Sequence, residues 1–574
     1  MNNGKRKLII IRLLLGIFIY YLIFGNSIQA HAFETSAPNN KFGIHFALPN
    51  LDDLTRARDL INSNGGDWGY VTLVIQEDDR DRNKWQEVFD RMREFHLIPI
   101  IRLATVPQAD QWRRPQPEDA DSWVDFLDSL HWVVKDRYII LFNEPNHGAE
   151  WGGSVDAGDY AELALTFAQK LKSKSPDFFI MLAGLDASAP SAKPKFEDED
   201  LFLRQIFSSG SMEQWNNLLS GLASHSYPNP DFSGSPLAAG RGSVRTYQWE
   251  LELLRSLGIS KELPVFITET GWKRGDEEVV AENFRAAFEN IWLADERVAA
   301  VTPFVFDYQG APFLDFSWKR FQDSGFYPQF YTVQSLTKVK GRPEQIERGE
   351  INFDIPHDLV AHSNFRFTLN LKNFGQAVWD KDSGYQLTVV GSGQDHFEYF
   401  FSDIKNLKPF EQSEVDFFIK TSGAPGKNQI QIALLKDGEF YITGKAWEYE
   451  IFPLPDLRFT VGLLPKLKSR GNDFEIQIFD EQENLVFKKV GIEVEDSKGA
   501  VREVQNIILG KKYRVVILKP YYLPRQNYLT FDTGENTLKF EMLLPLDFNK
   551  NGRLDIFELL PVFQNPRLIN LLFP

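Results

Sequence analysis

Two glutamates stand where apolar runs stop. Tyr138–Phe142 reads YIILF and is followed by Asn143-Glu144-Pro145. Pro264–Thr268 reads PVFIT and is followed by Glu269-Thr270-Gly271-Trp272. A carboxylate at the end of a buried strand is placed at a rim, where it meets solvent or a ligand. Two of them on one rim make a pair able to divide labour. One carboxyl protonates a leaving oxygen, and the other attacks carbon or activates water. That is the apparatus for cleaving a bond between sugars. The structural reading, two unrelated ion pairs at strand ends, requires both motifs to arise by accident.

The pair needs a scaffold that brings distant strand ends together. From Lys41 to Lys338 short apolar runs alternate with helix-period segments. The runs are FGIHFAL, GYVTLVI, LIPIIRLA, YIILFN, FFIMLAG, LASHSY, PVFITET and VTPFVF. Between them DYAELALTFAQKL puts Tyr160, Leu163, Phe167 and Leu171 on one face, and EEVVAENFRAAFENIWLA does so with Val280, Phe284, Phe288 and Ile291. Spacings of three and four mark amphipathic helices. Strands alternating with such helices imply a parallel sheet. Eight of them fit a (β/α)8 TIM barrel over 41–338, whose strands present catalytic groups at their C-terminal ends. An open doubly wound sheet is the rival; no glycine-rich phosphate loop follows the first strand.

With this order the motifs resemble clan A glycoside hydrolases, the cellulase and β-glycanase superfamily. Asn-Glu-Pro ends the fourth strand and Thr-Glu-Thr-Gly-Trp ends the seventh. The resemblance implies retaining hydrolysis of a β-linked carbohydrate, with Glu144 as acid/base and Glu269 as nucleophile. It implies that Asn143 binds the sugar 2-hydroxyl. SHSY supplies His225 and Tyr227 where the clan carries a His and a Tyr, with Tyr227 touching the nucleophile. Arg102 on the third strand is the candidate cation for Glu269, although the clan's usual arginine lies on the second. The clan commonly places a tryptophan at the eighth strand. Here Phe306 and Tyr308 stand there and Trp318 comes later. Trp112, Trp151 and Trp272 fall in rim loops, and Trp272 is the expected sugar-stacking ring. His147 reads as a solvated loop residue.

Beyond the barrel the pattern changes. Gly341–Glu350 is a charged, turn-prone linker. In NFRFTLNLKN, Phe365, Phe367, Leu369 and Leu371 alternate with Arg366, Thr368, Asn370 and Lys372. Period two means half-buried strands, and an immunoglobulin-like β-sandwich is expected over 351–451. NFGQAVWDKDSGYQL, with Trp379 and Tyr385, is similar to the immunoglobulin-like four-tryptophan domain, which implies fold only. After a second linker, Phe452–Asp456, a smaller all-β module is expected over 456–545.

The segment 546–574 contains Asp547, Asn549, Asn551, Gly552, Arg553, Asp555 and Glu558. Oxygen side chains fall at loop positions 1, 3, 5, 9 and 12, glycine falls at 6, and Arg553 offers its carbonyl at 7. That order is an EF-hand calcium loop. The flanking strand and short helix (IFELLPVF, interrupted by Pro561) are similar to a dockerin repeat. A single repeat argues against a cohesin-type partner and for a structural clamp. No cofactor is expected for the chemistry.

Composition bounds the rest. The chain has 574 residues, enough for several domains of about 100–200 residues. It contains no cysteine, which excludes disulfides and thiolate chemistry. The net charge of -16 disfavours a nucleic-acid partner. Residues 1–32 combine Lys5, Arg6 and Lys7, an apolar run and Ala30-His31-Ala32, the layout of a cleaved export signal. The run is long enough for an uncleaved membrane anchor to be the alternative. Either way an extracellular or cell-surface body is expected. Rival functions are a silent glycan-binding barrel and a calcium-dependent adhesion protein.

Overall fold

A computed structural model describes residues 38–565 and 567, apart from 393, 466–468, 546, 549–550, 556, 558 and 566. The expected export segment 1–32 and the expected calcium ligands Asn549 and Glu558 lie outside the described residues. Among the described residues no helix is long and apolar enough to cross a membrane. The chain divides after Ile346 into two compact units.

In the first unit eight strands form; seven fall on the expected runs, and the eighth ends at Val301, where the run VTPFVF begins, rather than spanning it. They are β1 (Gly43–Phe46), β2 (Gly69–Gln76), β3 (Leu97–Ala104), β4 (Arg137–Leu141), β5 (Phe178–Leu182), β6 (Leu222–His225), β7 (Val265–Glu269) and β8 (Val298–Val301). Every ladder between them is parallel. One arc runs β1-β2-β3-β4-β5 and another β8-β7-β6. The arcs meet through a parallel bridge between Phe42 and Val301. At the other seam the Ser220 amide donates to Ile180 O at 2.8 Å. The result is a closed parallel α/β barrel.

Burial on both faces explains the continuous apolar runs, as parallel sheets require. All four residues of β1 and all five of β7 are buried. The helix Ala157–Lys174 buries the face read from its spacing: Tyr160, Leu163, Phe167 and Leu171. Asp156 caps it, accepting from Asp159 N at 3.0 Å. The helix Glu277–Ala287 is capped by Asp276 and continues as a π-turn, Phe288–Trp292, that keeps Phe288 and Ile291 inward.

The second unit is all β up to a short C-terminal helix. Two four-stranded sheets form a sandwich. In its strand Asn364–Asn373, Phe365, Leu369 and Leu371 point inward. Trp379 donates to Glu347 at 3.1 Å, and Tyr385 hydrogen-bonds the same carboxylate. A seven-stranded sheet follows. Its edge strands, Tyr522–Thr530 and Glu535–Lys539, approach one another, with Asn527 Nδ2 donating to Lys539 O at 2.8 Å. This sheet nearly closes.

The expected linker Phe452–Asp456 is not a free tether. Phe452 ends one strand and Asp456 begins the next. One apolar cluster runs through both β regions, and the Asn506 side chain accepts from Asn364 N at 2.8 Å. The C-terminal helix Leu559–Gln564 contains Pro561. It sits in the first turn, where a missing N–H costs no hydrogen bond, so it does not interrupt the helix as expected.

Candidate active site

The site is built where β4, β6 and β7 finish. At the end of β4 the chain leaves regular geometry. Phe142 has φ +71° and Glu144 φ +32°, both left-handed in residues other than glycine. Such positions cost about 1–3 kcal/mol each and persist only when neighbours impose them. Here they do. Tyr160 donates to Leu141 O at 3.0 Å and accepts from Ala183 N at 2.7 Å, tying the ends of β4 and β5. The Glu144 amide donates to Gly184 O at 3.2 Å.

The β6–β7 ladder slips by one residue between Ser224 and His225. Ser224 pairs with Ile267, but His225 pairs with Glu269. The extra residue, Thr268, makes a bulge, which re-aims side chains at a strand end. His225 and Glu269 thereby become neighbours.

Glu269 is 7% exposed and fully engaged. Arg102 donates to its Oε1, and Tyr227 donates to its Oε2 at 3.0 Å. Burial alone would raise its pKa. The charges of His225 and Arg102 outweigh burial and hold it at about 2. Tyr227 moves the other way, well above its ordinary range, through burial and the Glu269 charge. It stays a donor.

His225 Nδ1 contacts Glu144 Oε1 at 2.7 Å and lies 3.8 Å from Glu269 Oε2. Burial lowers its pKa, but the two carboxylates more than compensate and the net shift is upward. One oxygen from each glutamate and a nitrogen of His225 all lie within 4.8 Å of one another. Such a triad has the donor set for a metal ion. The Arg102 guanidinium and the Tyr227 hydroxyl already occupy Glu269, and the adjacent positive charge opposes a cation.

Arg102 Nη1 also donates to Asn143 Oδ1 at 2.8 Å. Asn143, Glu144, Arg102, His225, Tyr227 and Glu269 therefore form one connected cluster. Trp272 does not present an open sugar platform. It is 4% exposed, its Nε1 donates to Gly234 O at 2.8 Å, and its ring packs T-shaped against Phe284. Trp151 and Trp318 are also buried. Burial wins because these rings are the apolar filling beneath the rim loops. Phe313, 40% open, lies in the loop after β8. It meets Phe304, which packs against His45.

Sequence reasoning missed four residues. His45, on β1, is wholly buried, and its Nδ1 lies 3.1 Å from Thr268 O. A carbonyl only accepts, so Nδ1 carries the hydrogen. Burial, then the Arg102 charge, lowers its pKa to about 3, keeping it neutral below Glu269. A lone histidine inside FGIHFAL was the available signal. Gly184 leaves the space that the His225 ring fills; a Cβ there would lie 2.6 Å from Nε2. Asp186 accepts from His147 Nε2 at 2.8 Å, so His147 is fixed rather than solvated, with Nδ1 3.9 Å from Glu144. The fourth, Glu150, follows β4 in a short 3-10 turn, Gly148–Glu150.

In the C-terminal segment the described loop oxygens turn inward on one another. Gly552, at φ +73°, donates its amide to Asp547 Oδ1 at 3.1 Å. Arg553 N donates to Asn551 Oδ1 at 2.8 Å, and Asn551 Nδ2 reaches Asp555 Oδ2 at 2.9 Å.

No family model and no curated protein matches the chain. Solved structures do. An endo-β-1,4-glucanase from Xanthomonas axonopodis pv. citri aligns over 51% of this chain and 98% of its own, at 14% identity and TM-score 0.37. An endo-β-1,3-glucanase from Sorangium cellulosum covers 51% and 98%, at 14% identity and TM-score 0.35. A β-mannanase from Streptomyces thermolilacinus covers 51% and 88%, at 17% identity and TM-score 0.32.

Proposed function

We propose that the barrel hydrolyses O-glycosidic bonds of a β-linked poly- or oligosaccharide with retention of configuration. The observation that carries this reading is the convergence of Glu144 and Glu269, 125 positions apart by subtraction of their numbers, to oxygens within 4.8 Å. Retaining enzymes hold their two carboxyls about 5–5.5 Å apart, and inverting ones leave about 6.5–9.5 Å for a water.

The roles follow from the surroundings. Glu269, kept ionised by His225 and Arg102, attacks the anomeric carbon. The C–O bond breaks as Glu144 passes its proton to the leaving oxygen. Water then gives a proton back to Glu144 and attacks the same carbon, releasing Glu269. His225, bonded to Glu144 and beside Glu269, stabilises the negative charge of the pair. Asn143 meets the neighbouring hydroxyl. Phe313, rather than Trp272, supplies the open apolar face against which sugar C–H groups stack.

The direct test is Glu144→Gln and Glu269→Gln on an aryl glycoside panel, with product configuration followed by NMR. Each substitution should abolish turnover, and the first product should keep its anomeric configuration. Wild-type rates in either variant would overturn the assignment.

Two further readings accompany this one. The C-terminal loop is a structural calcium site with Asp547, Asn549, Asn551, Arg553, Asp555 and Glu558 as ligands. The inward-turned oxygens and the Gly552–Asp547 bond support it, and calcium would clamp the segment to the preceding sheet. The body acts outside the cell or at its surface, which rests on the N-terminal residues alone.

A further inference from the structure

Each carboxyl oxygen of Glu144 has a histidine on its side. Oε1 is taken by His225 Nδ1 at 2.7 Å. Oε2 lies 3.9 Å from Nδ1 of His147, which no step above uses. The His147 ring is pinned at its opposite edge, where Nε2 meets Asp186 Oδ2 at 2.8 Å. A carboxylate only accepts, so Nε2 carries the hydrogen and Nδ1 is left to face Glu144. Asp186 is itself held. Its Oδ1 accepts from Ser188 N at 2.7 Å, and its amide donates to Oδ1 of the buried Asn146 at 3.2 Å. Asn146 Nδ2 donates back to Asp186 O at 3.0 Å. The His147 amide donates to Glu144 O at 2.8 Å, and its ring packs T-shaped against Phe196. The segment after β5 thus serves both histidines: Gly184 leaves room for His225, and Asp186 fixes His147.

We propose that His147, clamped by Asp186, is a positioning residue for the acid/base, facing the Glu144 oxygen that exchanges its proton with the leaving group and with water. This rests on the glycoside-cleaving reading of the cleft. With Oε1 bonded to His225, Oε2 is the oxygen free to reach the leaving oxygen. Once its proton has gone, Glu144 is a carboxylate until water returns one. An imidazolium at this range stabilises that anion, and 3.9 Å is too long for a direct hydrogen bond, so the coupling is electrostatic. Both His147 and Asp186 are half-buried, so their fields are only partly screened. Burial lowers the His147 pKa, but the bond to Asp186 and the Glu144 charge outweigh it and the net shift is upward. Burial would raise Asp186, yet the bonds from His147 and Ser188 hold it below the usual carboxylate range. The other charges facing the pair are Glu150, in the turn after His147, and His225.

The test is the pH profile of kcat/KM on an aryl glycoside, whose base limb reads the loss of the acid's proton. His147→Gln keeps a polar side chain but leaves Asp186 near Glu144 without the cation. The base limb should move up by about 1 pH unit, the lower end of the shift for losing an opposite charge at this range. Asp186→Asn should move it up by less, because His147 then loses its partner and with it its charge. In the His147→Gln background Asp186→Asn should move the limb back down, because there it removes a bare anion. A residue that only packs would lower the rate and leave the limb in place. Coincident base limbs in wild type and His147→Gln would overturn the proposal, as would the same direction of shift for Asp186→Asn in both backgrounds. If wild type cleaves no glycoside, the function reading falls instead. In that case, or if His147→Gln does not fold, the titration of His147 followed by heteronuclear NMR in the full chain decides. Glu144→Gln should lower its midpoint, and an unchanged midpoint would overturn the coupling.

Discussion

His225 Nδ1 touches Glu144 at 2.7 Å while standing 3.8 Å from Glu269. One imidazole therefore senses both members of the carboxylate pair. Its position depends on a bulge in the β6–β7 ladder on one side and on the missing side chain of Gly184 on the other.

Gly184→Ala tests that dependence. The added methyl would press on the His225 ring, whose far side is committed to Glu144. Overpacking of this kind costs about 1–3 kcal/mol of stability. The larger effect should be on chemistry, with kcat/KM falling by about 100-fold, as sub-ångström misplacement of catalytic groups does. Steady-state kinetics with a melting curve separates the two. Unchanged kinetics would mean that His225 placement is not critical.

Arg102→Met removes the guanidinium that keeps Glu269 ionised. With it, the Glu269 carboxyl is held at about 2. Without it, burial acts with less opposition, and the acid limb of kcat/KM should move up by about 1–3 pH units. Arg102→Lys should move it less. A pH–rate profile of the three proteins is the measurement; coincident acid limbs would remove Arg102 from its role.

Glu199 and Glu250 form a second carboxyl pair, buried in the wall at the β5–β6 seam. Burial, joined by the Glu250 charge, drives Glu199 well upward, and burial raises Glu250. Arg241, 3.6 Å from Glu199, is the nearby cation. The native state therefore holds protons that the unfolded chain releases above about pH 4.5, so stability falls as pH rises from there toward the raised native values. Glu250→Gln should flatten this dependence and raise Tm at pH 8 by about 2–4 °C for each kcal/mol recovered. A lower Tm at pH 8 would show that the charge is needed.

Calcium should bind the C-terminal loop with one-site stoichiometry in titration calorimetry. EDTA should lower the melting temperature of the second unit and leave the barrel's turnover of small aryl glycosides unchanged. Asp547→Ala should abolish the heat, since a carboxylate at the first position is a direct oxygen ligand. Full binding by Asp547→Ala would exclude the loop.

Much of the barrel was legible because a parallel strand buried on both faces must be written as an apolar run, and its helices as a three-and-four repeat. Glu144 and Glu269 showed themselves as the residues that ended such runs. Arg102 was a candidate from its place on the third strand, and His225 and Tyr227 came from the resemblance carried by SHSY at the end of the sixth. Other features were not in the local pattern. The slip that sets Glu269 beside His225 depends on how two strands pair. The space at Gly184 and the neutral His45 exist only when opposite sides of a closed sheet meet. The burial of Trp272 depends on how rim loops fold back. Phe452–Asp456 looked like a tether, yet the sheets on either side share one core. By itself the sequence determined which residues face inward and which carboxylates stand at strand ends, because periodicity is a property of a single element. Only the tertiary structure decided which of them touch, because register, closure and loop packing are contacts between residues far apart in the chain, and no local spacing encodes a partner.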